Sequence, residues 1–155
     1  EIVAEFYELM GEILYQKKQH KEAFAAYDSC LQWKPDKASC LNNYAYYLGE
    51  QGKDLDKAEA MSYKAIKNEP NNGTYLDTYA WLLFLKKRYA EAQVYIEQAL
   101  KNDSTSLKSK VVLEHAGDIY AMNGDTKKAI EYWNMALKLG ADKAVINRKI
   151  KMKKP

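Results

Sequence analysis

One pattern of small and large apolar residues runs through this chain four times in phase, and it constrains the fold more than any other feature. Gly11, Ala45, Ala80 and Gly117 are small residues set late in a first amphipathic run, at successive steps of 34, 35 and 37 residues. Ala23, Ala58, Ala92 and Ala129 open a second run. Cys30, Ala65, Ala99 and Ala136 come seven residues later, each followed by Leu31, Ile66, Leu100 or Leu137. Pro35 and Pro70 close the first two copies. Self-similarity at such a period is the mark of stacked structural repeats, none of which can bury its apolar face alone.

The copy from Gly73 to Ser106 shows what each unit must be. Leu76, Tyr79, Ala80 and Leu83 fall at the i, i+3, i+4, i+7 spacing of one helix face. Lys86, Lys87 and Arg88 put cations in the last turn, where the helix dipole favours them. A second stripe follows in Tyr89, Ala92, Ile96, Ala99 and Leu100. The connection is so short that the two helices must be antiparallel neighbours. Ala80, Ala92 and Ala99 let their backbones come close. Here the first helix of each pair is termed A and the second B.

The pattern resembles the tetratricopeptide repeat, a unit of about 34 residues with small residues in both helices and a closing proline. The resemblance covers four copies, from about Ala4 to Leu139. It implies an all-α fold: an α-solenoid, a right-handed superhelix of antiparallel helix pairs in a single domain. Units are expected at residues 4–37, 38–72, 73–106 and 110–140, with a capping helix over 142–153. The expected helices include Val3 to Lys17, Lys37 to Glu50 and Leu107 to Met122. Some positions depart from the family pattern. Tyr7, Leu41, Leu76 and Leu113 stand where helix A commonly opens with tryptophan, and the second unit has an extra residue near Lys53-Asp54-Leu55. The third unit lacks its proline, and three added residues suggest a longer, looser link from Asp103 to Ser109.

Composition narrows the classes. Mean hydropathy is −0.59, and no apolar run approaches the roughly 18 residues that a membrane span needs. Most of the 13 tyrosines fall at repeat positions, where packing accounts for them. Cys30 and Cys40 are too few for a zinc site; a thiol pair is expected, with a disulfide left open. After Asp142 come six cations (Lys143, Arg148, Lys149, Lys151, Lys153 and Lys154) and no acid. The remaining 18 basic and 21 acidic residues leave the repeats net negative. The chain opens on Glu1 without an initiator methionine, as expected of a piece of a longer protein.

The resemblance also implies a function: protein–protein binding, as scaffold or adaptor, in a concave groove lined by the A helices. By phase, the groove takes Glu8, Glu12 and Tyr15 from unit one, and Asn42, Asn43 and Tyr46 from unit two. Unit three gives Asp77, Trp81 and Phe84, and unit four gives Glu114, His115 and Asp118. These positions hold no lysine or arginine, which fits a protein or peptide partner with basic and apolar residues. Relatives that hold chaperone tails use a clamp of lysine, asparagine and arginine. Only Asn43 matches that clamp here, so a mode of another type is expected.

An enzyme is not expected. His20 and His115 have no second histidine or cysteine at ligand spacing, and the glycines fall at repeat turns rather than in a phosphate-cradling loop. No catalytic residue, cofactor or metal is implied. Two further readings stay open. The units could be a spacer or self-assembly module, or the basic C-terminal helix could meet nucleic acid or a membrane. An envelope or periplasmic location is open if a preceding segment carries a signal or lipid anchor.

Overall fold

The computed structural model describes residues 2–155, and the regular structure among them is helical throughout. It divides into two compact units, Glu1–Asn68 and Glu69–Pro155. The first holds α1 (Ile2–Gln16), α2 (His20–Trp33), α3 (Ala38–Gln51) and α4 (Leu55–Asn68). The second holds α5 (Gly73–Leu85), α6 (Tyr89–Asn102), a 3₁₀ turn (Ser104–Lys108), α7 (Lys110–Met122), α8 (Thr126–Lys138) and α9 (Lys143–Met152). Helices pair as hairpins: α1 with α2, α3 with α4, α5 with α6, and α7 with α8.

The hairpins form where the repeat pattern puts small residues at the crossing. Ala23, Ala58, Ala92 and Ala129 are all fully buried, as are Cys30, Ala65, Ala99 and Ala136. At Gly117 the approach is closest. A Cβ there would lie 2.3 Å from Cδ1 of Trp133, so the indole occupies the space that any larger residue would need. The turn from A to B helix also repeats. Lys18, Gly52, Lys87 and Gly124 occupy one repeat position, and all four adopt positive φ. The extra residue of the second hairpin appears as a further left-handed residue, Asp54.

In the first unit the core is a run of tyrosines. The Tyr44 ring stacks between Phe24 and Tyr27, with centroids 5.6 and 5.4 Å away. Cys30 and Cys40 are buried free thiols, and burial pushes both above the ordinary thiol range, Cys40 strongly. In the second unit Leu113, Tyr120, Ala129, Trp133, Ala136, Ala141 and Ile146 form one apolar cluster, with Ile150 packed at its edge. Ile146 brings α9 into that cluster.

The connection between the third and fourth hairpins differs from expectation. Helix α7 begins at Lys110, not at Leu107, because the Ser109 side chain caps it by accepting the Val112 N–H. The preceding residues are a pinned 3₁₀ turn rather than a loose link. The Asp103 carboxylate accepts the Gly73 N–H at 2.8 Å and both the N–H and the hydroxyl of Thr105. A Cβ on Gly73 would sit 2.2 Å from Ser106 Oγ, so only glycine lets the turn come this near α5.

Candidate partner-binding faces

In each unit the residues predicted for the groove are largely engaged with other side chains. In the first unit, Tyr15 stacks on Tyr47 at 3.7 Å. Its hydroxyl donates to Glu50 at 2.8 Å and accepts from Gln51 at 2.9 Å. Burial pushes the Tyr15 hydroxyl to a pKa of about 12; Gln51 works against the rise and Glu50 adds to it. Tyr47 donates to the Glu12 carboxylate at 2.7–2.8 Å, and Tyr27 and Gln16 donate to the same group. Burial, then Glu12, holds both phenols above the ordinary range. Glu8 pairs with Lys37 at 3.4 Å. Burial opposes the Lys37 charge, but the Glu8 and Glu5 carboxylates outweigh it, and its pKa lies above the ordinary value.

Asn42 and Asn43 stand side by side on α3. Asn42 is buried and donates to Asn43 Oδ1 at 3.4 Å, while its own Oδ1 has no hydrogen-bond partner. Tyr46 is half-buried, its ring 6.0 Å from that of Tyr47.

The second unit has the more ordered face. Phe84, Trp81 and His115 form a stack of three rings, with Trp81 4.6 Å from Phe84 and 3.9 Å from His115, all nearly parallel. The Asp77 carboxylate lies within hydrogen-bond reach of His115 Nδ1, at 2.9 and 3.1 Å. Asp77 and His115 are buried; Trp81 and Phe84 are half-buried and form the accessible part of the stack.

Glu114 and Asp118 do not stand as open acidic groups. Lys149 of α9 reaches back to α7, 2.6 Å from Glu114 and 3.0 Å from both oxygens of Asp118. Trp133 Nε1 also donates to Asp118, at 3.0 Å. Asp118 is only 3% exposed, and burial raises its pKa above the ordinary carboxylate range even though Lys149 and Trp133 pull it down. Lys149 of the basic C-terminal helix is thus itself buried, 7% exposed, and serves two groove positions from outside the repeats. The phase of the repeat could not supply Lys149, since it lies outside the repeats. Its place between Ile146 and Ile150, on the inward stripe of α9, is the signal that could have found it.

Among the described residues, no group of three His, Cys, Asp or Glu side chains is placed to hold a metal ion. No helix among the described residues is long and apolar enough to cross a membrane.

Comparison with known proteins agrees with this arrangement. The tetratricopeptide repeat model matches residues 4–37 and 74–106, the first and third hairpins. A TPR repeat-containing protein of Pseudomonas aeruginosa is 31% identical over 68 residues, which is 44% of this chain and 12% of that protein. The chain therefore spans a small part of such a relative. Among solved structures, PilF of Pseudomonas aeruginosa superposes with a TM-score of 0.83 at 20% identity, over 97% of this chain and 67% of that one. PilW, a type IV pilus biogenesis factor, gives 0.83 at 18% identity, over 99% and 69%. At these identities the likeness shows the fold, an all-α helical-repeat solenoid. Repeat stacks of this kind are protein-interaction modules, using the extended surfaces that stacking creates.

Proposed function

We propose that this tetratricopeptide repeat chain holds an extended or helical segment of a partner protein against the faces of its A helices, as scaffold or adaptor and without catalysis. The Phe84–Trp81–His115 stack carries this reading. Three parallel rings, with the innermost fixed by a buried carboxylate, make a flat shelf that is set before any partner arrives. Aromatic anchors of this kind dominate binding energy because they give area at little entropic cost. Glu8, Glu12, Glu114 and Asp118 are already partnered, by Lys37, Tyr47 and Lys149. Apolar anchoring therefore supplies more of the affinity than attraction to a basic partner. A chaperone-tail clamp is disfavoured, since acidic and hydroxyl groups stand where its cations would. An envelope setting is part of the reading, supported by the fold likeness to PilF and PilW.

The test is affinity capture from the source cell with the wild-type chain and with Trp81→Ala and Tyr46→Ala, identified by mass spectrometry and followed by titration of the partner. Each alanine should weaken that partner by more than ~1 kcal/mol if the residue is an anchor. A partner held equally by all three proteins, with helical content unchanged, would remove the groove reading.

A further inference from the structure

The chain has two cysteines, and both stand at the junction between α2 and α3. Cys30 ends the small-residue stripe of α2, where the other units have Ala65, Ala99 and Ala136. Cys40 opens the inward face of α3, where the other units have the bulkier Phe6, Tyr75 and Val112. A small position is enlarged and a large one reduced at the same place. In the second unit the equivalent residues, Ala99 and Val112, are both buried where α6 packs on α7.

The two thiols meet. Cys30 and Cys40 are fully buried and hydrogen-bond to one another. The Cys40 thiol also lies 3.8 Å from the Tyr27 carbonyl, which is one turn before Cys30. Glu8 and Lys37 act on both thiols in opposite senses and are paired with each other at 3.4 Å. Burial is the larger influence and pushes both thiols up. A thiol held in this way is a poor nucleophile, so the folded chain shields the pair from exchange.

We propose that Cys30 and Cys40 are a modification site, closed to a disulfide while the chain is unfolded and then sealed by folding. The oxidant is a disulfide, small-molecule or protein. One cysteine thiolate attacks it, breaking its S–S bond, forming a mixed disulfide and releasing one thiol. The second cysteine attacks the mixed disulfide, forming the Cys30–Cys40 bond and releasing the other thiol. Two electrons pass to the reagent, and the two cysteine protons end on the released thiols. The bond ties the end of α2 to the start of α3, across the junction where Tyr27 stacks on Tyr44. It persists in oxidising surroundings and not in a reducing cytosol.

The test refolds the whole reduced chain from urea into a buffer of glutathione and glutathione disulfide. Iodoacetamide then labels any remaining thiol, and intact mass and a non-reducing gel report the product. The product should be an unlabelled monomer, lighter than the reduced chain by two hydrogens, with unchanged helical circular dichroism. Its thermal midpoint should lie above that of the reduced chain by roughly 5 °C or more. The same buffer added to the folded, reduced chain should form the bond at least about tenfold more slowly. Cys40→Ser treated in the same way should gain no thermal stability. Two labelled thiols in the wild type, stable glutathione adducts or a crosslinked dimer would overturn the proposal. So would equal rates from the folded and unfolded chains, or an oxidised chain that melts below the reduced one.

Discussion

Lys149→Met isolates the buried charge that holds α9 to α7. The substitution keeps most of the aliphatic stem and removes the cation that lies 3.0 Å from both Asp118 oxygens. Asp118 then keeps Trp133 Nε1 as a donor at 3.0 Å and sits 3% exposed. Breaking a buried pair from one side costs about 3–5 kcal/mol. A second route sets a ceiling, because Asp118 can protonate instead. From an ordinary Asp value of about 3.9, and about 1.4 kcal/mol per unit, holding it neutral at pH 7 costs roughly 4 kcal/mol and at pH 5 only about 1.5. The sign follows: a carboxyl whose folded pKa is raised binds its proton more tightly in the folded state, so its stability contribution fades as pH rises. Burial already raises Asp118 in the wild type, and loss of Lys149 removes what pulls it down. The deficit of Lys149→Met against wild type should therefore be at most about 4 kcal/mol at pH 7 and at most about 1.5 at pH 5. Urea unfolding in a Trp33→Phe background, where the remaining tryptophans are Trp81 and Trp133, reads the second unit directly. Adding Asp118→Asn should flatten the pH dependence. A deficit below about 1 kcal/mol, or one that does not change between the two pH values, would refute the buried-pair account.

Other expectations are smaller in scope. Gly117→Ala should cost about 1–3 kcal/mol by overpacking, since its Cβ would meet the Trp133 ring at 2.3 Å; a Trp133→Phe background should recover part of the loss in thermal unfolding. Asp103→Ala should speed hydrogen exchange at the Gly73 and Thr105 amides, which donate to its carboxylate. Those hydrogen bonds, the Thr105 hydroxyl first, hold Asp103 below the ordinary carboxylate range, so the same amides in the wild type should lose protection only when the pH falls through that lowered value. Gly73→Ala should loosen the same turn, and unchanged exchange in both variants would show that the link does not depend on this contact.

How much of this was legible in the sequence depends on whether the signal was periodic. The hairpins were, because Gly11, Ala23, Cys30 and their counterparts recur at a fixed step, and a crossing that needs a small residue repeats with the fold. The same phase put Asp77, Trp81 and Phe84 in the third repeat and His115 in the fourth, and the folded chain brings the four side chains together. What phase cannot convey is what a side chain does after it arrives. Asp77 and His115 are 38 residues apart, and nothing in the repeat distinguishes a hydrogen-bonded pair from two solvated groups. The link after Asp103 was misjudged for a related reason. Its inserted residues read as slack, yet a single carboxylate that accepts from Gly73 and Thr105 turns them into a 3₁₀ turn.

The unmatched ends of the repeat carry the sharpest contrast. At the C-terminal end, α9 brings Ile146 to the core and Lys149 to two carboxylates, and turns Lys143 and Lys151 outward. At the other end, α1 keeps the apolar residues of a helix that expects a neighbour. Phe6, Leu9 and Ile13 are 57%, 60% and 48% exposed, on a face built like those that α2 covers on α3 and α6 covers on α7.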